Sequence, residues 1–299
     1  MKVPMSAKVW AHETAWKLGY DVMPIGSESR SLVGSPGEEV ARLQGVVQRV
    51  LGYSREVADG PAPSWTRLVA EAFSLAADGH SPRGQLLQDA WVTLCTGRKR
   101  DGYFVDIGAA DGYYLSNTVM LERSFGWTGL LCEPNPDLRA AIARIPRPGS
   151  VVVPEAVWDR SGVTLELVLA DEMSAFQDNA GGDVHARGRS AAAGGRTASV
   201  VTATPGDILD RHDSPAVIDF LSIDTEGSEL DILRAFPWHE RGVRLLAVEH
   251  NHTPGRAAAY DAFLVPLGFR RSLPDWSAFD AWYVHESLEV HPALVTDPP

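Results

Sequence analysis

Apolar and polar positions follow two different periods along the chain. Up to about residue 100, apolar residues recur at helical spacing and predict three amphipathic helices. The first opens at the capping box Ser35-Pro36-Gly37-Glu38, the second follows Ser64, and the third follows Ser81-Pro82 with Gln85, Gln88 and Asp89 on its polar face. From Tyr103 onward, short apolar runs alternate with helical segments. We therefore expect an α/β fold, with a mostly parallel sheet covered by helices on both faces.

The apolar runs after residue 100 are short enough to be strands. Strands are predicted over residues 103–106, 129–133, 151–157, 164–169, 198–204, 217–224, 245–249, 269–272 and 281–285. Residues 171–196, rich in glycine, alanine and arginine, have no period that would bury one face, so a surface loop is expected there. This loop is one predicted place for substrate contacts. The aromatic residues Trp276, Phe279, Trp282 and Tyr283 are a second predicted place for substrate contacts. The alternative is that they pack in the core, which is favoured for Trp282 and Tyr283.

The most informative segment is 103–112, an apolar strand that carries Asp106 and runs into a turn containing Gly108 and Gly112. In open α/β sheets, ligands bind outside the carboxyl ends of the strands, and a glycine there lets the backbone approach a ligand closely. The next strand closes on Glu133, at the spacing where nucleotide sites place an acid on ribose hydroxyls. These two acids indicate an adenosine ligand. An ordinary strand and turn without a ligand is the alternative.

The residues of this turn narrow the class of ligand. The dinucleotide motif G-x-G-x-x-G and the P-loop motif G-x-x-x-x-G-K-[ST] do not fit here, and Asp111, between the two glycines, would repel a phosphate. S-adenosylmethionine, a cationic nucleoside without phosphates, suits such a turn. Two alternatives stay open. One is a nicotinamide-dependent oxidoreductase or epimerase, which the missing glycines disfavour, and the other is a non-catalytic adenosyl-binding module.

Four predicted strands carry a carboxylate at or next to the same end, namely Asp106, Glu133, Asp224 and Glu249. In a parallel sheet these carboxylates meet at one edge, where they repel one another unless cations intervene. Asp224, Glu249 and the adjacent His250 can hold a divalent cation such as Mg²⁺, which would bind a substrate hydroxyl. Because imidazole is a soft ligand for Mg²⁺, other divalent ions, no metal, and Asn251 as the third ligand are alternatives. Without a metal, Asp224 would contact only the cofactor and Glu249 would pair with an arginine.

His250 and His252 are also candidates for a general base. An unperturbed imidazole titrates near neutral pH, and a hydroxyl nucleophile needs a proton acceptor. A single histidine is more often structural, but two that flank Asn251 at a strand end favour a functional role.

Composition and charge exclude several other classes. The 299 residues are 44% hydrophobic and 22% charged, which is typical of a globular protein. The net charge of −12 disfavours a nucleic-acid partner, and the basic clusters at 98–100 and at 187, 189 and 196 are interpreted as solvated loop charge. No apolar run is long enough to span a membrane, and the first residues lack the apolar core of a signal peptide, so a cytoplasmic location is expected. Only Cys95 and Cys132 are present, which disfavours a disulfide framework.

Taken in order, several motifs resemble the FkbM-type S-adenosylmethionine-dependent methyltransferases. The resemblance spans about residues 85–284. It rests on Gln85-Leu86-Leu87-Gln88-Asp89, Phe104-Val105-Asp106-Ile107-Gly108-Ala109-Ala110-Asp111-Gly112, Leu115-Ser116-Asn117-Thr118, Cys132-Glu133-Pro134, Leu221-Ser222-Ile223-Asp224-Thr225-Glu226-Gly227-Ser228-Glu229, Val248-Glu249-His250-Asn251 and Phe279-Asp280-Ala281-Trp282-Tyr283. Each motif alone would be weak, but their combination in this order is specific.

The resemblance implies a seven-stranded class I methyltransferase sheet, Rossmann-like, whose last strand runs antiparallel. Asp106, Gly108 and Asp111 would line the amino-acid end of S-adenosylmethionine, Glu133 would take the ribose hydroxyls, and Ala156 and Val157 would flank adenine. The matched motifs add further cofactor-binding candidates, which are Gln85, Ala109, Ser116, Asn117, Pro134 and Asp224. Related metal-dependent enzymes place one acid after the fourth strand and a pair of acids after the fifth. These positions match Asp224 and Glu249-His250, so the second acid of the pair is replaced by His250 in this chain.

We therefore expect an S-adenosylmethionine-dependent O-methyltransferase that acts on a hydroxyl of a small molecule, such as a sugar or a secondary metabolite. O-methylation is favoured over N-methylation. The methyltransferase domain is predicted over residues 85–299, preceded by a helical extension over 1–84, for which a lid and a contact in a homo-oligomer are the two roles considered. Asp224, His250 and His252 are the catalytic candidates.

Overall fold

The computed structural model describes residues 65–169 and 196–296, together with residues 41, 43–45, 175 and 176. The predicted helix after Ser35 lies almost entirely outside the described residues, as does the predicted loop over 171–196. Within the described part, seven helices are α1 Thr66–Ala77, α2 Gln88–Thr96, α3 Val119–Phe125, α4 Pro136–Ile142, α5 Pro205–Arg211, α6 Glu229–Ala235 and α7 Arg256–Leu264. Short 3₁₀ helices cover Val265–Leu267 and Pro292–Leu294.

Seven strands form the main sheet, in the order β3-β2-β1-β8-β9-β11-β10. They are β1 Tyr103–Ile107, β2 Thr128–Cys132, β3 Ser150–Val153, β8 Val217–Ile223, β9 Gly242–Glu249, β10 Phe269–Ser272 and β11 Asp280–His285. All neighbours pair in parallel except at β11, which is antiparallel to both β9 and β10. The expected seven-stranded, mostly parallel sheet with an antiparallel last strand is confirmed.

A second sheet lies beside the first, in the order β4-β7-β5-β6. Its strands are β4 Ala156–Val157, β5 Thr164–Val168, β6 Ala175–Phe176 and β7 Thr197–Ala203. The single strand predicted over 151–157 is therefore wrong, because it divides into β3 of the main sheet and β4 of the second sheet. Pro154 lies between them and has no N–H to continue a ladder.

Helix α2 begins later than predicted. It starts at Gln88 rather than after Ser81-Pro82, because Leu87 takes a left-handed conformation with φ of 67°. The prediction that Gln88 and Asp89 stay on a polar surface is also wrong, since both are buried. Asp89 accepts a hydrogen bond of 2.6 Å from the backbone N–H of Arg83, and Gln88 donates one of 2.8 Å to Asp280, so burial leaves both polar groups with partners.

Helices α1 and α2 share a hydrophobic core with one face of the main sheet. Trp91 of α2 stacks on Trp282 of β11 at 5.1 Å between ring centroids and donates to the Ser272 hydroxyl at 3.0 Å. Trp276 and Tyr283 are fully buried as well, and Phe279 is nearly so. Core packing is thus the observed role of Trp282 and Tyr283. No helix among the described residues combines the length and the apolar character that crossing a membrane requires.

Candidate functional site

The parallel register of four adjacent strands brings their carboxyl ends together. Ile107 of β1 lies opposite Cys132 of β2 and Ile223 of β8, and Ile223 in turn lies opposite Val248 of β9. The residues that follow these positions, among them Glu133, Asp224 and Glu249, therefore meet at one edge of the sheet, as predicted. Asp106, the fourth member of the predicted carboxylate row, lies one residue before the end of β1. Residues 108–112, called the glycine corner below, form the turn after β1.

Gly108 joins this corner to the turn after β8. Its φ of +87° is a left-handed conformation that favours glycine, and an added Cβ would lie 1.6 Å from the backbone oxygen of Asp224. The Asp224 N–H also donates to the Ile107 carbonyl at 2.9 Å. The reason for the glycine is therefore close packing between two turns of the protein, whereas the sequence had suggested only close approach to a ligand.

Several predicted cofactor residues form hydrogen bonds inside the corner. One carboxylate oxygen of Asp111 accepts from the N–H groups of Tyr113 and Tyr114 at 2.9 and 2.7 Å. Asp106 is buried and accepts from the Thr118 hydroxyl at 2.8 Å. Burial raises the pKa of the Asp106 carboxyl, while the Thr118 bond and the charge of Arg147 oppose that rise. The Ser116 hydroxyl accepts a hydrogen bond of 3.2 Å from the N–H of Val119, the first residue of α3.

Arg147 forms hydrogen bonds with the glycine corner and with neighbouring residues. The sequence gives no indication of this role. Its guanidinium donates to the Gly112 carbonyl, to the Thr118 hydroxyl at 3.1 Å and to Glu122 at 2.6 Å. Both members of the Arg147–Glu122 pair are nearly completely buried. Because a buried charge is stable only with partners, this pair fixes the corner against α3.

Glu133 lies directly beside the corner. Its two carboxylate oxygens accept from the N–H groups of Ala110 at 2.9 Å and Asn135 at 2.7 Å. Burial raises the pKa of Glu133 to about 8, although both hydrogen bonds favour the charged form. The Pro134 carbonyl accepts a hydrogen bond of 2.6 Å from the Arg139 guanidinium.

Two predicted cofactor residues have buried polar atoms without a partner among the described residues. They are Nε2 of Gln85, a donor, and Oδ1 of Asn117, an acceptor. Asn117 is oriented by a bond of 3.0 Å from its Nδ2 to the Ser222 hydroxyl. A Cβ on Gly84 would come within 3.1 Å of Oδ1 of Asn117, so the segment carrying Gln85 lies against Asn117. A free donor and a free acceptor match the carboxylate and ammonium of an amino-acid group.

The remaining predicted cofactor residues are apolar and buried. The Ala109 N–H donates to the Cys132 carbonyl at 3.2 Å. Ala156 and Val157 form β4, and Val157 lines a small apolar cavity with Cys132 and Ile208. The adenine contact at these two residues stays a prediction.

Three carboxylates form a compact group next to the corner. Asp224, Glu226 and Glu249, called the acid group below, each place a carboxylate oxygen within 4.8 Å of the others. Glu226 was not among the predicted ligands; its backbone is left-handed, with φ of 58°. Asn251, also left-handed, donates from Nδ2 to Glu249 at 2.7 Å and to Glu226 at 3.4 Å. The donor set is all oxygen, which is what Mg²⁺ and similar hard cations prefer.

The carboxyl groups of Asp224 and Glu249 both have raised pKa values. Desolvation by the surrounding protein raises the pKa of Asp224 to about 7, and the charge of Asp280 adds to the rise. Burial, followed by the charge of Asp224, raises the pKa of Glu249 as well.

His250 and His252 differ in exposure. His250 is buried outside the acid group, and its Nδ1 accepts from the His252 N–H at 3.2 Å. Burial and the charge of Arg271 lower the pKa of His250 to about 4, so its ring is neutral at neutral pH. His252 is exposed, and its ring packs edge-on against the ring of Phe279, with 6.2 Å between the ring centroids.

Two residues of the first basic cluster have acidic partners. Arg98 bonds to Glu71 at 2.8 Å and to Asp78 at 2.7 Å, and Lys99 bonds to Asp219 at 2.7 Å. Arg98 therefore joins the connection between α2 and β1 to α1 and the residue that follows it, and Lys99 joins the same connection to β8.

Comparison with known proteins identifies one matching family model. The model of the methyltransferase FkbM domain matches residues 106–274, more than half of the chain, including the glycine corner, Glu133 and the acid group. A crystal structure of methyltransferase FkbM from Methylobacillus flagellatus KT is 13% identical, over 92% of this chain and 70% of that chain, with a TM-score of 0.41. No curated protein matches. On the extent of the domain match, the chain belongs to the methyltransferase FkbM domain family.

Proposed function

We propose that this methyltransferase transfers the methyl group of S-adenosylmethionine to a hydroxyl of a small molecule, with the help of a divalent cation. The observation that carries the proposal is the acid group, three carboxylates within 4.8 Å beside the glycine corner. Family membership assigns methyl transfer and so argues against the nicotinamide-dependent oxidoreductase. The acceptor and the oxygen as the methylated atom belong to the proposal.

The residues around the corner fit S-adenosylmethionine, which supplies an electrophilic methyl group on a sulfonium. Gln85 Nε2 and Asn117 Oδ1, buried and without a partner among the described residues, would bind the amino-acid carboxylate and ammonium. Glu133, held by two backbone N–H groups, would accept from the ribose hydroxyls. Ala156 and Val157 would flank the adenine. Because these groups are held by backbone and by buried partners, they would orient the reacting carbon without reorganising.

The acid group fits a hard divalent cation because it offers carboxylate oxygens on both sides of the β8–β9 junction. Asp224, Glu226 and Glu249 would hold the ion, which supplies Lewis acidity that lowers the pKa of a substrate hydroxyl. Because the raised pKa values of Asp224 and Glu249 favour their protonated forms, binding of the ion would release protons from them. Asn251 keeps Glu249 and Glu226 directed to this place.

His252 is our candidate for the residue that accepts the hydroxyl proton. His252 is exposed, whereas His250 is buried. The pKa of His250, lowered to about 4, makes that ring a weak proton acceptor. His250 would instead fix the backbone of His252 through its bond to the His252 N–H.

The test is methyl transfer to a panel of hydroxylated sugars and natural products, read by mass spectrometry as the gain of one methylene unit. We expect at least one acceptor to be methylated on oxygen. After exhaustive treatment with a chelator, we expect turnover to fall at least about 100-fold and to return with added Mg²⁺ or Mn²⁺. Full activity of the chelated enzyme would contradict the metal, and methylation confined to nitrogen would contradict the acceptor class.

The raised pKa of Glu133 predicts that cofactor affinity depends on pH. Below about pH 8 the Glu133 carboxyl is mostly protonated, yet ribose hydroxyls bind best to the charged form. Binding then releases a proton, so affinity for S-adenosylhomocysteine should rise about tenfold per pH unit between pH 6 and 8. Calorimetry in two buffers of different ionisation enthalpy counts the released proton.

The control for this prediction is Glu133→Gln, whose side chain does not titrate. Its affinity should be lower at pH 8 and should change much less with pH. A wild-type affinity that is flat between pH 6 and 8 would contradict a role for Glu133 in binding the ribose.

A further inference from the structure

The turn after β8, residues 224–228, is built around one buried side chain. Glu229, the first residue of α6, is fully buried. Its Oε1 accepts three hydrogen bonds from this turn, which come from the Thr225 N–H at 3.1 Å, the Thr225 hydroxyl at 3.1 Å and the Gly227 N–H at 2.8 Å. We call residues 224–228 the acidic loop. A single carboxylate oxygen thus gathers donors from both halves of the loop.

The second oxygen of Glu229 is bonded from another element. Arg256, at the start of α7, donates to Oε2 at 3.3 Å and supplies the opposite charge. A buried carboxylate is stable only when it is paired and hydrogen-bonded, and Glu229 meets both conditions. The acidic loop is therefore tied to α6 and, through Arg256, to α7.

The acidic loop needs such a restraint because of what it carries. Asp224 and Glu226 belong to it, and both place a carboxylate oxygen within 4.8 Å of one of Glu249. The loop therefore brings together acidic side chains that repel one another whenever they are charged. The backbone that directs Glu226 to this place is left-handed, with φ of 58°, and is followed by Gly227 at φ of 131°. For Glu226, unlike glycine, such a conformation persists only where the surroundings impose it.

The loop is also in direct contact with the glycine corner. The Asp224 N–H donates to the Ile107 carbonyl at 2.9 Å, and the Asp224 carbonyl lies against Gly108. A shift of the acidic loop would thus disturb both the acid group and the proposed cofactor pocket.

We propose that Glu229 is a positioning residue for methyl transfer: it holds the acidic loop so that Asp224 and Glu226 face Glu249. The inference rests on the proposed function, because it gives the acid group a part in the reaction. The role of Glu229 is separate from simple stabilisation of α6. Three of its four side-chain hydrogen bonds come from the acidic loop, and the fourth comes from Arg256.

The experiment compares Glu229→Ala, Glu229→Gln and Ile232→Ala in the full chain. The amide oxygen of Gln can still accept from Thr225 and Gly227. Ile232 lies on the same helix, fully buried in the core, and so serves as a matched loss of stability. With the acceptor found in the panel, we expect Glu229→Ala to lower kcat about 100-fold with the KM for S-adenosylmethionine changed less than about threefold. We expect Glu229→Gln to recover most of that loss and Ile232→Ala to keep kcat within about twofold at equal folded fraction.

A second measurement needs no acceptor and separates the two proposals. Amide hydrogen exchange of the acidic loop should rise at least about 100-fold in Glu229→Ala relative to Ile232→Ala, because the Thr225 and Gly227 amides lose their acceptor. Unchanged exchange, or a kcat loss no larger than that of Ile232→Ala, would overturn the role of Glu229. If loop exchange rises as expected but the wild-type protein methylates nothing in the panel, the proposed function fails while Glu229 still holds the loop.

Discussion

We expect Gly108→Ala to abolish measurable binding of S-adenosylhomocysteine. An alanine Cβ at this position would lie 1.6 Å from the backbone oxygen of Asp224, a distance that no side-chain rotation can relieve. One of the two turns would have to move, and with it either the glycine corner or the acid group. The overlap comes in addition to the left-handed φ of +87°, which alone costs a non-glycine residue about 1–2 kcal/mol.

Gly79→Ala is the matched control, because Gly79 has a nearly identical φ of +83° and nothing within 4 Å of an added Cβ. We expect this variant to lose about 1 kcal/mol of stability and to keep its affinity within about twofold. Calorimetric titration with S-adenosylhomocysteine and thermal unfolding of both variants provide the comparison. Equal affinities for the two variants would show that the contact between the turns is not needed for cofactor binding.

The position of the site could be predicted from the sequence because it depends on strand ends. Buried parallel strands are nearly continuous apolar runs, so the residue where each run stops is visible in the sequence. On this basis the sequence predicts Asp106, Glu133, Asp224 and Glu249 at one edge. The register of the sheet shows this edge for the last three, with Asp106 one residue before the end of β1. The order of the motifs was sufficient to predict the family, which the domain match confirms.

Glu226 could not be predicted in the same way. Its side chain joins the acid group because its φ is 58°, a conformation that hydrophobic periodicity does not indicate for a glutamate. The available signal was the neighbouring Gly227 in a short turn between a strand and a helix. His250 was preferred because it follows Glu249 directly, but consecutive residues at a strand end point in different directions.

Long-range hydrogen bonds explain the other differences. A polar residue on an amphipathic helix is normally exposed, which is why Gln88 and Asp89 were expected on the surface. Gln88 is instead bonded to Asp280, 192 residues away along the chain. Arg147 likewise acts through Gly112, Thr118 and Glu122, which are distant from it in sequence. Local periodicity contains no information about such partners.

We expect Glu226→Gln to lower turnover about 100-fold, a loss typical of removing a metal ligand or its close support. The amide keeps the size of the side chain and one acceptor oxygen, but it removes a charge from the acid group. If the group holds a cation, the affinity for Mn²⁺ used as a probe, measured by electron paramagnetic resonance, should fall by a similar factor. This binding measurement is independent of the acceptor and of catalysis.

The informative comparison is His250→Gln, because the sequence favoured His250 as a ligand whereas Glu226 lies in the acid group. His250 is buried outside that group and bonds to the backbone of His252, so its replacement should leave Mn²⁺ affinity within about twofold, an ordinary effect of a substitution without direct contact. Turnover of this variant can still fall if His252 loses its backbone support, and a normal Mn²⁺ affinity would separate that cause from metal loss. The opposite result, with Mn²⁺ affinity lost in His250→Gln and kept in Glu226→Gln, would restore the ligand set Asp224, Glu249 and His250. Loss of Mn²⁺ affinity in both variants would mean that the ion contacts four side chains, namely Asp224, Glu226, Glu249 and His250.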